Sequence, residues 1–128
     1  MSNRKIVIVD DEAHIRALLE QTLEDLEDEL DAEILSASDG AEGLALIREE
    51  RPKLVFLDVM MPQMNGYEVC RAVTDDDNLN GIHVILLTAK GQDVDRERGI
   101  EAGAKRYMTK PFDPDEVFEL ALGILQEG

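Results

Sequence analysis

The sequence predicts an α/β domain, a doubly wound five-stranded parallel sheet with five helices. Three observations predict it. Short runs of β-branched and other apolar residues alternate with stretches whose apolar residues recur every three or four positions, so strand and helix take turns along the chain. The stretches between strands are long enough for crossover connections, and right-handed crossovers lay strands parallel with helices on both faces. The strand runs also end abruptly in polar residues, at Asp10, Asp58, Thr88 and Thr109-Lys110. An open parallel sheet carries its chemistry outside those carboxyl ends.

The first strand covers 4–9, where Ile6, Val7, Ile8 and Val9 give way at once to Asp10-Asp11-Glu12. Ile15, Leu18, Leu19, Thr22, Leu23 and Leu26 then form one stripe of a helix running to about Glu27, and 27–31 reads as an acidic exit. A second strand at 32–37 leads into Ser38-Asp39-Gly40, a cap and turn for a helix marked by Ala41, Leu44, Ala45 and Ile47 and closed by Pro52. The third strand is the most apolar. Leu54, Val55, Phe56 and Leu57 read as buried on both faces, charge arrives only at Asp58, and Pro62 ends any further ladder pairing. Asn65-Gly66 opens a helix through about Val73, and 75–81 is a polar loop. The fourth strand, 82–87, runs into Thr88-Ala89-Lys90. A weakly patterned helix near 93–102 precedes a short fifth strand at 104–108 that ends in Thr109-Lys110-Pro111, and Asp113-Pro114 caps a last helix to about Gln126.

With 128 residues, 44% of them apolar, the expectation is one domain over 1–128 with one core and no output domain. No apolar run approaches the ~20 residues of a membrane span and no secretory signal is visible, so a cytoplasmic protein without membrane attachment is expected. Thirteen basic residues against 29 acidic ones give a net charge of −16, which repels nucleic acid and anionic lipid. Any effect on DNA is then indirect. The single cysteine, Cys70, falls within the apolar spacing of a helix and reads as buried filler. His14 and His83 read as surface and strand-entry residues.

Periodicity leaves the strand order open, but if the first, third, fourth and fifth strands end beside one another, Asp10, Asp11, Asp58, Thr88 and Lys110 share one crevice. Three packed carboxylates repel unless some are protonated or a cation sits among them, and hard oxygen ligands suit Mg²⁺, Mn²⁺ or Ca²⁺. Lys110 offers a point charge to an anionic group and the Thr88 hydroxyl a hydrogen bond, so together they describe a phosphoryl site. No Gly-rich phosphate loop follows the first strand, which counts against a nucleotide or flavin.

These residues carry a resemblance to the receiver domains of two-component response regulators, proteins like CheY. The motifs are Val9-Asp10-Asp11-Glu12, then Asp58-Val59-Met60-Met61-Pro62 with Asn65-Gly66, then Leu87-Thr88-Ala89, and Tyr107-Met108-Thr109-Lys110-Pro111-Phe112. They stand in the family's order and near its spacing over nearly the whole chain, with about one extra turn between Asp11 and Ser38. The resemblance implies the flavodoxin-like strand order 2-1-3-4-5. It implies that Asp58 accepts a phosphoryl group from a sensor histidine kinase or phosphotransfer protein, and that the domain catalyses its own phosphorylation and dephosphorylation without being a conventional enzyme. Asp11, Asp58 and the Met60 backbone carbonyl would bind Mg²⁺ directly, Mn²⁺ substituting, with Asp10 acting largely through water. Thr88 and Tyr107 would form the switch, biasing the face of the fourth helix, fifth strand and fifth helix toward a downstream target or output domain. A cis peptide between Lys110 and Pro111 would aim the lysine.

Rival readings are weaker. An aspartyl-phosphate phosphatase wants a second acid two residues past its nucleophile, where this chain has Met60. A flavodoxin-like cofactor carrier wants the missing phosphate loop, and a degenerate receiver used only for docking would not need all five site residues. In the last helix Val117, Ala121 and Ile124 form an inward stripe, with Leu120 and Leu125 along its edges. Phe118 and Leu122 lie beyond it, extend the apolar arc, and are candidates for a partly exposed contact face that supports a phosphorylation-dependent homodimer.

Overall fold

The structure is a computed structural model that describes residues 4–89, 96–110 and 112–126. Its strands are β1 (Lys5–Val9), β2 (Glu33–Ala37), β3 (Leu54–Asp58), β4 (His83–Ala89) and β5 (Arg106–Lys110). Its helices are α1 (Ala13–Leu30), α2 (Gly40–Glu50), α3 (Gly66–Asp75), α4 (Arg96–Ala102) and α5 (Pro114–Gln126). The sheet runs β2-β1-β3-β4-β5, every pair parallel. The expected fold class and strand order are therefore both observed.

Alternation along the strands sorts side chains into two cores. Ile6, Ile8, Leu54, Phe56, Ile85, Leu87 and Met108 face α1 and α5, where they meet Leu19, Leu23, Val117 and Ala121. Val7, Val9, Val55, Leu57, Val84 and Leu86 face the other way, toward Leu44 and Ile47 of α2 and Val69, Cys70 and Val73 of α3. Both faces of β1, β3 and β4 are thus dry, which is why these runs read as continuously apolar. Burying each large side chain contributes about 1.5–3 kcal/mol, so the central strands are the anchor of the fold. Among the described residues no helix is long and apolar enough to cross a membrane.

Element ends depart from the sequence reading for identifiable reasons. Helix α1 continues through the acidic run to Leu30, because Leu26 and half-buried Leu30 extend the core stripe and Arg4 Nη1 donates to the Leu30 carbonyl at 2.7 Å. Asp31, at φ 54°, then ends the helix in the left-handed region. Leu18, placed on the inward stripe by spacing, is 39% exposed at its edge. Strand β4 extends to Ala89, and β5 begins two residues later than expected. Ala104 still belongs to the exit of α4, its amide donating to the Gly99 carbonyl at 3.0 Å. The polar loop after α3 contains a 3-10 turn, Asp77–Leu79, that buries Leu79.

The described part of helix α4, Arg96–Ala102, leans on its neighbour α3. Its C-terminal carbonyls are held by α3: Thr74 Oγ1 and Cys70 Sγ donate to the Ala102 carbonyl at 2.5 and 3.3 Å, and Arg71 Nη1 to that of Glu101 at 3.1 Å. Burial pushes the Cys70 thiol up to about 11, with the Thr74 hydrogen bond a smaller opposing effect, so the cysteine is an unreactive packing residue as expected.

Candidate functional site: an acidic pocket around Lys110

Three strand ends build the pocket. Asp10 leaves β1 fully buried, its amide bonded to the Ala37 carbonyl at 3.2 Å and its Oδ1 accepting from the Glu12 amide at 2.9 Å. Asp58 is the last residue of β3 and is 4% exposed, its Oδ1 accepting from the Met60 amide at 3.3 Å. Lys110 ends β5, and Nζ lies 2.8 Å from Asp10 Oδ2, 3.2 Å from Glu12 Oε1 and 3.4 Å from Asp58 Oδ1. One ammonium therefore serves three carboxylates.

Glycine allows the third strand to turn tightly here. A Cβ on Gly66 would collide with the backbone oxygen of Asp58, and the Gly66 amide instead donates to the Val59 carbonyl at 2.9 Å. Asn65 and Glu68 close a capping box at 3.0 and 3.2 Å, so α3 starts firmly beside the site.

Electrostatics follow from the crowding. Burial, then the charge of Asp10, pushes the Asp58 carboxyl up to about 7, while Lys110 and the Met60 amide pull the other way. Burial alone would lower the Lys110 ammonium, but Asp10, Asp58 and Glu12 outweigh it and hold the group above the usual lysine range. Each group's state depends on its neighbours' charge.

Carboxylate oxygens of Asp10, Asp11, Glu12 and Asp58 all lie within 4.8 Å of one another. Asp10 Oδ2 is buried, and the Lys110 ammonium lies 2.8 Å from it. A donor set made wholly of carboxylate oxygen, four acids drawn together with one ammonium among them, fits a hard divalent cation such as Mg²⁺.

The other predicted residues fall as follows. Asp11 lies exposed at the mouth, and Met60 is 59% exposed beside Asp58. Thr88 is buried in β4, its hydroxyl donating to the Met108 carbonyl at 3.4 Å rather than pointing at a carboxylate. Tyr107 is half-buried, its ring lying where a side chain on Gly99 of α4 would have to go. Phe118 and Leu122 are half-buried against the α1–α5 core. The Lys110-Pro111 bond expected to be cis lies outside the described residues, because Pro111 does.

Two participants escaped the sequence reading. Glu12 was legible only as part of a motif, yet it contacts Lys110. Arg16, one turn further on, donates from Nη1 to the Asp10 backbone carbonyl at 2.6 Å, a contact that no local pattern signals. His14, read as a plain surface residue, is exposed but sits 3.5 Å from Glu12 Oε2.

Comparison with known proteins agrees with this geometry. Residues 6–121 match the sequence profile of the response regulator receiver domain. The chain is 40% identical over 124 residues to the alkaline phosphatase synthesis transcriptional regulatory protein PhoP of Bacillus subtilis, covering 97% of this chain and 49% of that protein. The chemotaxis response regulator CheY4 of Vibrio cholerae superposes with a TM-score of 0.82 at 28% identity, covering 96% of this chain and 99% of that one. A CheY-like receiver domain protein from Methanospirillum hungatei gives 0.78 at 31% identity, covering 97% and 98%. The chain spans about half the length of the curated relatives it matches.

The chain belongs to the receiver-domain family of response regulators. It is a phosphoacceptor domain whose acidic cluster suits Mg²⁺-dependent phosphorylation and dephosphorylation of itself.

Proposed function

We propose that Asp58 is the phosphoacceptor, and that the domain takes its phosphoryl group from a phosphohistidine on a sensor kinase or phosphotransfer protein. The supporting observation is the placement of a buried carboxylate at the end of β3, in reach of both a buried ammonium and a cluster of acids. Asp11, Asp58 and the Met60 backbone carbonyl would hold Mg²⁺, with Asp10 acting through water, and the ion would supply charge neutralisation at the attacking carboxylate. Lys110 holds its proton and offers its positive charge to the phosphoryl oxygens. Asp58 must be ionised to attack, and its neighbours set how often it is. Held at the strand ends, Asp58 and Lys110 are placed to receive an incoming phosphoryl group in line.

Thr88 then exchanges its bond to the Met108 carbonyl for one to a phosphoryl oxygen, and Tyr107 follows into the space released. The changed face of α4, β5 and α5 is read by a downstream protein or an output domain. The net charge of −16 keeps that effect one of protein contact rather than direct nucleic-acid binding.

The test is intact-mass measurement after incubation with acetyl phosphate and Mg²⁺. The wild type gains one phosphoryl mass, Asp58→Asn gains none, and Asp11→Ala loses most of both the labelling and its Mg²⁺ dependence. A folded Asp58→Asn protein that is still labelled removes Asp58 from the role.

A further inference from the structure

Glu12 occupies the N-cap of α1, a position where Ser, Thr, Asp or Asn ordinarily satisfies an orphan amide. Its side chain makes no cap hydrogen bond. One carboxylate oxygen instead reaches Lys110 Nζ at 3.2 Å, and the other faces His14 Nε2 at 3.5 Å. The ammonium thus sits between two unlike acids. Asp10 is fully buried, whereas the Glu12 side chain is 47% exposed.

That asymmetry matters once a cation is admitted. A divalent ion among Asp10, Asp11 and Asp58 carries the same sign of charge as Lys110, which in its resting place is only 3.4 Å from Asp58 Oδ1, so the ammonium has to give ground. Buried Asp10 cannot follow it outward. Glu12 can, being at the solvent edge on a longer side chain.

We propose that Glu12 is a positioning residue for Lys110: it receives the ammonium as Mg²⁺ enters, and influences the metal through the lysine rather than as a ligand. This rests on the reading of the pocket as a Mg²⁺ site. Glu12 also lies within 4.8 Å of the other three acids, so direct ligation is the competing role. The two roles differ in whether they need Lys110.

A double-mutant cycle separates them, with Mg²⁺ affinity measured by titration calorimetry on the whole chain as wild type, Glu12→Gln, Lys110→Ala and the double variant. Glu12→Gln weakens Mg²⁺ by about twofold to fivefold when Lys110 is present, the size of one partly exposed ion pair, and has no effect when Lys110 is absent. Lys110→Met, which keeps the buried stem, takes the place of Lys110→Ala should the latter not fold. An equal loss in both backgrounds makes Glu12 a ligand or a plain charge and overturns the proposal, as does no loss in either. A folded wild type that binds no Mg²⁺ overturns the site reading itself, and the proposal with it.

Discussion

A carboxyl group that binds its proton near neutrality makes the folded chain itself sensitive to pH. Burial first and the Asp10 charge second push the Asp58 carboxyl up to about 7, from 3.8 as its ordinary value. Between those limits the native state holds a proton that the unfolded chain has lost, so the stability it contributes is complete below about pH 4 and lost as pH rises through about 7. Urea unfolding in the presence of a chelator should therefore show Asp58→Asn gaining on the wild type between about pH 5 and pH 8. Added Mg²⁺ should narrow that gap for the wild type. A gap that does not change with pH would mean that Asp58 ionises near its ordinary value. Sequence reading located this residue because the apolar run 54–57 stops at it. It did not reveal Glu12 or Arg16, because an acidic N-cap and an arginine one turn later look like ordinary helix-surface residues. Only the folded geometry shows one on Lys110 and the other on the Asp10 carbonyl.

At the scale of elements, the reading succeeded where packing and local chemistry agree, and it slipped at ends that tertiary contacts decide. Asp39 caps α2 as expected, its side chain accepting from the Glu42 amide at 2.8 Å. The end of α1 depends on Arg4, 26 positions away, and no local pattern reports such a partner. Helix α4 reads weakly because Gly99 interrupts it, and the fold supplies the reason: the Tyr107 ring needs that space. The start of α3 makes a measurable case. Asn65→Ala removes one half of the capping box and should cost about 1 kcal/mol in urea unfolding with little effect on labelling by acetyl phosphate. Gly66→Ala drives a Cβ against the Asp58 backbone oxygen, which belongs to a central strand with nowhere to move. It should cost about 1–3 kcal/mol and also slow labelling, since the strain falls on Asp58, the proposed phosphoacceptor. Equal labelling rates in the two variants would separate the start of α3 from the geometry of the site.

For the whole molecule, sheet topology brings chemistry from the first, third, fourth and fifth strands to one edge, while α5 packs against α1 on one face of the sheet and α3 holds α4 on the other. In the proposed switch, coupling from the pocket to a partner runs through β4 and β5, where Thr88 and Tyr107 stand. Phe118 and Leu122 lie on the half-buried flank of α5, while Ile100 on α4 is 69% exposed. We predict that phosphorylation strengthens self-association or target binding through this face. Phe118→Glu combined with Leu122→Glu should weaken it and leave the labelling of Asp58 intact, because neither residue touches the pocket in this arrangement. Sedimentation velocity of wild type and variant, each with and without the phosphoryl group, decides the case for self-association. A phosphorylation-dependent dimer that survives both charges would move the interface away from α5. Labelling lost along with dimerisation would instead show that the substitutions had damaged the fold, since each places a carboxylate against the α1–α5 core, and single substitutions at Leu122 and Ile100 would then locate the face.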